Sequence, residues 1–516
     1  MESCDLCVIG AGYAGINALN AATKYLRQGA RVVVVARESQ WGGQWVDQYD
    51  FVRLHQAFAL YTAGEREWSI RKTKPWSYLA SKKEVLQHFD EIVSANISEK
   101  ELDLVSLFQY EYKGSYVIED GKVHLEVSSL LKEEMPGAAF PPPVKIIADR
   151  MIVAQGVNIP QKLPLYFPTL SESVHSLCPA DILSPKWHPI MKYSQDADKP
   201  IWIIGSGKTA MDIICLLSKR EPSWRSRLRC IAGRGTWFMN REMVDNPVDA
   251  NGNLLPVYIL EMCAKFNGDN AREVYQELSA KGFFHSYVAD AQNFVAGIAS
   301  KEEIEMCKAV LPPASDRVLK CHLMDLEESA EGELRMKLRS LDGETVEYRP
   351  LERGSFIVNC TDNVREGQLD IQPIVSDDGL VLTTQNPLRH SGLSAHLQTH
   401  AWYLGLLEGV WQQYIVNPPW NYHQKDTFML QGIVGHNTRL ISAVLPKEIL
   451  AETKGLGHPP GLPPPTAEWL ARVRECTALI AERHATMEKA RYTNRVFLSM
   501  GKKKEVLGGN IGGNPS

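Results

Sequence analysis

Two stretches of the chain carry the same hydrophobic pattern. Near the start, LCVI (6–9) is an unbroken apolar run, followed by the glycine-rich GAGYAG, the small-residue stretch INALNAA and a second apolar run, RVVVVA (31–36). Near residue 200 the order repeats as KPIWII (199–204), GSGKTA, the amphipathic TAMDIICLLSKR and LRCIAGR (228–234). Short unbroken apolar runs bounded by turn residues predict strands buried on both faces. Strand, turn, helix and strand in that order predict a parallel βαβ unit. Residues 114–148 carry strand patterns between turn signals and predict a β-meander. Helical spacing dominates 243–320, in YILEMCAKF, AREVYQELSAKG and SKEEIEMCKAVL. HPPGLPPP (458–465) reads as a stiff linker and TAEWLARVRECTALIAERHATMEKARY as a last amphipathic helix. GKKKEVLGGNIGGNPS reads as a disordered tail whose lysines are a solvated run.

Each turn spaces its glycines as a dinucleotide requires. In the first, Gly10 permits the tight turn, Gly12 admits a pyrophosphate against the backbone, and Gly15 lets helix and strand pack closely, with Tyr13 and Ala14 between them. The phosphate then meets a helix N-terminus, where free N–H groups and the helix dipole favour anions. The second strand should end in an acid for the ribose hydroxyls. Ala36 stands at that position and Glu38 is the acid nearby; either Glu38 serves or the ribose is held otherwise. Gly42 and Gly43, followed by Gln44 and Trp45, let the chain pass close over a flavin. No cysteine pair follows in QWVDQYDF (44–51), which argues against a disulfide reductase.

GSGKT has the look of an ATPase phosphate loop. That loop, G-x-x-x-x-G-K-[ST], needs its first glycine at 202, where the chain has Trp202. Gly205, Ser206, Gly207, Lys208, Thr209 and Ala210 fit G-x-G-x-x-A instead, a second dinucleotide turn. The strand after it ends at Arg234, where an acid would mark NAD; a basic residue there pairs with the 2′-phosphate of NADP, and Lys208 offers a second positive charge. Two dinucleotide folds in one chain imply that electrons pass between two cofactors, FAD in the first unit and NADPH in the second.

A chain of 516 residues predicts two or three domains. With a net charge of −5 and no basic block, nucleic acid is excluded as a partner. No apolar run approaches the ~18–20 residues of a membrane span. MESCDLCVIG opens directly into a strand pattern without a signal-peptide layout, and the 10 cysteines are scattered, so a reducing compartment, the cytoplasm, is expected. Cys4 and Cys7 form C-x-x-C within the first strand rather than at a helix start, and read as buried strand thiols. In HLQTH, His396 and His400 stand one helical turn apart, but Leu397 replaces the glutamate of a zinc-protease motif, so no metal is expected there.

Taken in order, GAGYAG, GGQW, FPTLSESVHS (167–176), GSGKTA and RGTWFMNR (234–241) resemble the class B flavoprotein monooxygenases, which comprise flavin-containing, Baeyer–Villiger and N-hydroxylating enzymes. The resemblance covers 5–240 and, more loosely, 350–410, and the R-G-T-W-x-x-x-R run is closest to the flavin-containing branch. The linker signature departs from the family at Thr169, where glycine is expected, and at Pro179, where an aromatic is expected. The resemblance implies an α/β fold with two Rossmann-like dinucleotide-binding domains arranged as in glutathione reductase. The FAD domain would be discontinuous, at 1–165 and 352–450. The NADPH domain would run 166–351 with a helical insertion at 243–320, and the linker, helix and tail would fill 451–516. Ala154-Gln155-Gly156 would close the first FAD segment, and Asn359-Cys360-Thr361-Asp362 would return the chain to the FAD domain.

The resemblance further implies that NADPH reduces FAD, that reduced flavin and O2 give a C4a-(hydro)peroxide, and that one oxygen atom passes to a small organic substrate. N- or S-oxygenation is favoured; Baeyer–Villiger oxidation of a ketone, or a reductase or oxidase without oxygen insertion, are the alternatives. Where the family places an asparagine beside the flavin C4a, this chain has YDFVRLHQAFALY (49–61), with His55 and Gln56 as the candidate catalytic residues. Either can donate a hydrogen bond to the peroxide, and an imidazole titrating near neutrality can also let it deprotonate. A homodimer is left open.

Overall fold

The computed structural model describes residues 1–64, 66–131, 142–155, 163–167, 170, 172–246, 248, 261, 264–267, 270–313, 315–361, 374–384, 391–407, 445–452, 463, 466–472 and 475. The first apolar runs form β1 (Glu2–Ile9) and β2 (Arg31–Ala36), parallel and joined by α1 (Tyr13–Ala22). Helix α2 (Lys82–Lys100) leads to β3 (Asp103–Phe108), which extends the sheet in parallel beyond β2. Its start is fixed by a capping box, in which the Ser81 side chain accepts from the Glu84 amide and Glu84 accepts from the Ser81 amide. The predicted meander follows as β4 (Tyr110–Glu119), β5 (Lys122–Ser129) and β6 (Val144–Val153), antiparallel neighbours in turn. β6 then lies parallel to β1, so the sheet order is β3-β2-β1-β6-β5-β4.

The second pattern builds a second parallel sheet. Its strands are β7 (His175–Leu177), β8 (Ile201–Ile204) and β9 (Leu228–Ile231), with α3 (Trp187–Tyr193) before β8 and α4 (Lys208–Arg220) after it. The stretch beyond β9 is not wholly helical. It holds β10 (Thr236–Asn240), α5 (Arg241–Asp245), α6 (Ala271–Ala280), β11 (Phe284–His285), β12 (Asn293–Ala299), α7 (Lys301–Val310) and β13 (Val318–Leu319). β10 pairs with β11 and β12 in a small sheet, and β13 adds to the edge of the second sheet at β9. Of the three predicted helices there, AREVYQELSA and KEEIEMCKAV are α6 and α7, while most of YILEMCAKF, most of the 458–465 linker, most of the last helix and the tail lie outside the described residues.

A three-stranded antiparallel sheet, β14 (His322–Glu328), β15 (Leu334–Arg339) and β16 (Val346–Pro350), precedes β17 (Phe356–Asn359). β17 stands between β8 and β7, giving the order β13-β9-β8-β17-β7. The next described strand, β18 (Val381–Thr383), pairs with β6 in the first sheet. The chain therefore crosses back after Asn359 rather than at 352, because the apolar run FIVN completes the second sheet first.

α8 (Ser391–Tyr403) packs against α1, and α9 (Lys447–Glu452) follows. All ten residues of α1 are buried, which explains its run of alanines and its absence of charge. The fold is thus two parallel βαβ units in one chain, each with its own core.

Candidate functional site

The two predicted turns have matching geometry. Gly10 and Gly205 hold φ of 111° and 107°, a region that favours glycine. A Cβ on Gly10 would stand 2.5 Å from the Ala154 carbonyl oxygen, and one on Gly205 2.7 Å from that of Cys360. The Gly10 amide donates to Val35 O and the Gly205 amide to Ile231 O, each at 2.8 Å. The crossing strands are tied alike, Ala154 N to Ile9 O at 2.7 Å and Cys360 N to Ile204 O at 2.9 Å. Gly15 is needed for packing, since a Cβ there would lie 1.8 Å from the Gly10 oxygen.

Cys360-Thr361 is the counterpart of Ala154-Gln155, so Thr361 stands beside Gly205 at the second turn. Its hydroxyl donates to Asn359 Oδ1 at 2.6 Å. Gly156 lies outside the described residues. Trp202 is buried within β8, which disposes of the ATPase phosphate loop.

At the first turn, Gly12 caps α1 and Gly43 crosses over it: a Cβ on Gly43 would meet Gly12 Cα at 2.6 Å. The Gly42 amide donates to Ala11 O at 2.9 Å, which fixes the crossing. Gln44 is exposed there. Trp45 is buried and donates its indole N–H to the Tyr61 hydroxyl at 2.8 Å. Tyr13 stacks on Tyr61 with ring centres 3.8 Å apart and donates to Thr62 O at 3.0 Å, so its side chain belongs to the core; Ala14 is buried beside it. Ala36 is buried at the end of β2. Glu38, just beyond, is half-buried; burial holds its carboxyl above the usual range, and Asp47 adds to this against the pull of Arg37.

At the second turn, Gly207 caps α4 and a Cβ on it would have nothing within 4 Å. Ser206 is buried and donates to Ala232 O at 2.8 Å, which ties the turn to the end of β9. Thr209 lies in the first turn of α4. Arg234 is exposed after β9, and its guanidinium reaches toward Leu341 O at 3.5 Å. His322 lies against Gly233, whose added Cβ would be 3.5 Å from the ring. Burial lowers the His322 pKa, and Arg234 and Arg339 lower it further. Arg234 and Arg339 thus both act on His322, a grouping of two guanidiniums about one imidazole that sequence reasoning missed. Arg339 and His322 arrive on β15 and β14, and nothing local in the sequence links those strands to the turn.

Lys208 is engaged by two carboxylates. Its ammonium pairs with Asp212, one helical turn on, and with Glu303 of α7 at 3.1 Å. Arg241 also pairs with Glu303, at 2.6 Å, and its Nε donates to the carbonyl of His55 at 3.0 Å. Tyr49 donates to Asp212 at 3.0 Å. This seam joins the loop 49–56 of the first unit to α4, α5 and α7 of the second. Against the burial that would raise it, Lys208 and Arg241 hold Glu303 down at about 2. Burial, with the charges of Lys208 and Arg241, lowers the half-buried His55 to about 4. The shift lies below neutrality and favours the neutral imidazole at pH 7. Gln56, the other candidate, is half-buried next to it in the chain.

No protein-family model matches the chain. Over 245 residues, 46% of this chain, it is 25% identical to uncharacterized proteins of Mycobacterium bovis and Mycobacterium tuberculosis, and the match spans 40% of their length. Among solved structures it is similar to the FAD-bound cadaverine monooxygenase of the desferrioxamine pathway from Erwinia amylovora (TM-score 0.42, 14% identity, 86% of this chain and 95% of that one). It is also similar to an NADP+-bound cyclohexanone monooxygenase mutant from Rhodococcus sp. Phi1 (0.46, 13%, 83% and 90%). A third is the bacillithiol disulfide reductase of Bacillus cereus (0.44, 10%, 78% and 99%). Likenesses of this degree carry no argument about activity. No helix among the described residues is long and apolar enough to cross a membrane.

Proposed function

We propose that the chain is an FAD- and NADPH-dependent monooxygenase that transfers one atom of O2 to a small organic substrate, at nitrogen or sulfur. The observation that carries this reading is the pair of matched turns in one chain, Gly10 against Ala154 and Gly205 against Cys360. The first turn fits FAD: Gly10, Gly12 and Gly43 keep side chains away from a pyrophosphate, and Gln44 and Ala154 border it. Glu38 has a carboxyl whose burial is best relieved by hydroxyl donors, which a ribose supplies. The second turn fits NADPH: open space beside Gly207 takes the pyrophosphate, with Ser206 and Thr209 shaping the turn. Arg234, Arg339 and His322 suit the 2′-phosphate. With β17 in the second sheet, the NADPH unit comprises 166–361 and the FAD unit 1–165 plus the chain from 374.

Bound FAD supplies the hydride acceptor and the site of oxygen activation. The residues of the chain do the positioning. Trp45, Tyr61 and Tyr13 form a packed aromatic wall behind the first turn that excludes water. Arg241 grips the His55 backbone from the NADPH unit, so the position of His55 depends on how the two units meet. A neutral imidazole keeps an N–H to donate, which suits an electrophilic oxygen and hence a soft nucleophile rather than a ketone.

The test is NADPH-driven O2 uptake by the flavin-loaded protein across amines, thioethers and ketones. An oxygenated amine or thioether in step with NADPH supports the proposal. Quantitative H2O2 with every substrate means an oxidase, a ketone product means Baeyer–Villiger chemistry, and no flavin reduction by NADPH rejects the two-cofactor reading. His55→Ala should leave flavin reduction intact and increase H2O2 leakage at the expense of product.

A further inference from the structure

Helix α8 carries His396 and His400 one turn apart, and both are fully buried. Three of their four ring nitrogens, His396 Nδ1, His396 Nε2 and His400 Nε2, have no hydrogen-bond partner among the described residues. The Asn17 carbonyl faces the His396 ring without closing a hydrogen bond. Leaving three polar atoms of one cluster unpaired in a core is costly and unusual in a folded protein. The fourth nitrogen, His400 Nδ1, is bonded to the Tyr25 hydroxyl at 2.8 Å. Across from them, α9 brings in Glu452, and the ligand-capable atoms of His396, His400 and Glu452 all lie within 4.8 Å of one another.

We propose that His396, His400 and Glu452 form a binding site for a divalent transition-metal ion of the zinc class. Two imidazoles and one carboxylate are a donor set that zinc takes, with a fourth position left for water. The histidines are in the ligating form, since burial keeps both neutral. Tyr25 occupies His400 Nδ1 and so leaves Nε2 as the ligand, the usual outer support of a metal-bound imidazole. The zinc-protease motif failed at Leu397 because it asks for a catalytic glutamate on the same helix. Here the carboxylate comes from a distant helix, and it serves as a ligand, not a base.

Among the described residues, one other charge faces the cluster. Lys24, just past α1, pairs with Glu452, and its field adds to burial in holding both imidazoles neutral. Tetrahedral bonds of about 2.0–2.1 Å place ligand atoms roughly 3.4 Å apart, so Glu452 must turn from Lys24 toward the histidines. The Lys24 side chain is 39% exposed and can swing to water. The ion then clips α9 to α8, with Lys24 as its competitor for the carboxylate.

The test uses the full-length flavin-loaded protein, dialysed against EDTA and titrated with Zn2+. Zinc retained after desalting is read by elemental mass spectrometry, beside the thermal midpoint. The wild type should keep one equivalent and melt higher. Glu452→Gln should bind at least about tenfold more weakly. His396→Gln with His400→Gln should keep none. Lys24→Met should bind more tightly, an outcome a purely structural histidine pair does not produce. The site is rejected if the wild type retains no zinc, if the double histidine variant retains as much as the wild type, or if Lys24→Met and Glu452→Gln leave the affinity unchanged. If the double histidine variant does not fold, the Lys24 and Glu452 variants decide.

Discussion

Gly205 and Gly207 are two residues apart and answer to different constraints. Gly205 holds a left-handed φ of 107° with a carbonyl 2.7 Å from where a Cβ would be, so Gly205→Ala strains the fold itself. It should cost about 3 kcal/mol or more, seen as a lowered denaturation midpoint. Gly207 has φ −77° and free space at its Cβ position, so Gly207→Ala should fold with an unchanged midpoint. The methyl instead occupies the path of the pyrophosphate, and KM for NADPH should rise about tenfold, the 1.4 kcal/mol of one lost close contact. Equal effects of the two substitutions would remove the second turn from nucleotide binding. The thiols of β1 illustrate the opposite case, of residues that do nothing chemical. Burial pushes Cys4 to about 12 and Cys7 well above its ordinary value, so the C-x-x-C is inert, as its place in a strand implied.

Helices α4, α5 and α7 meet in a network of two cations and two anions. Lys208 and Arg241 share Glu303, whose side chain is 20% exposed, while Asp212 holds the other side of Lys208. Removing one partner of such a group leaves a buried charge uncompensated. Glu303→Gln should therefore destabilise by about 3 kcal/mol in urea unfolding, and should also loosen the hold of Arg241 on His55. Glu303 has a depressed pKa of about 2, so its contribution is complete above the ordinary carboxylate value of 4.5 and is lost as pH falls toward 2. The charges after β9 and on β15 make a separate prediction. Arg234→Ala with Arg339→Ala should raise KM for NADPH and leave KM for NADH in place, since only the 2′-phosphate loses its partners.

Among the described residues, burial lowers six histidines: His55 to about 4, His88 to about 3, His400 to about 4, His396 well below its ordinary 6.5, and His285 and His322 in the same direction. Each binds its proton more readily unfolded than folded. The stability each supplies is full above pH 6.5 and declines as pH falls toward its folded value. Urea midpoints measured from pH 7.5 downward should begin to fall near pH 6.5, before the carboxylates titrate. A midpoint flat down to pH 5 would show that these imidazoles are open to water.

What the sequence by itself determined is what backbone geometry dictates locally. Gly10, Gly15, Gly205 and the apolar runs around them announce two βαβ turns, because a positive φ or a close backbone crossing admits no other residue. Helix α7 and the meander β4–β6 were legible as patterns within a few residues of chain. Local pattern could not say which sheet FIVN joins, since any buried strand reads alike; only the pairing of β17 with β8 and β7 decided it. Nor could it say where Lys208 points. In the sequence Lys208 is a cation in a phosphate turn, and in the fold Glu303, from a helix far along the chain, has neutralised it. His55 was placed by the motif around it, but burial, with Lys208 and Arg241 arriving from the second unit, lowers its pKa. Arg339 beside Arg234, and Glu452 beside His396 and His400, are likewise meetings of distant segments. Charge and metal chemistry depend on distances through space, and those distances exist only once the chain has closed on itself.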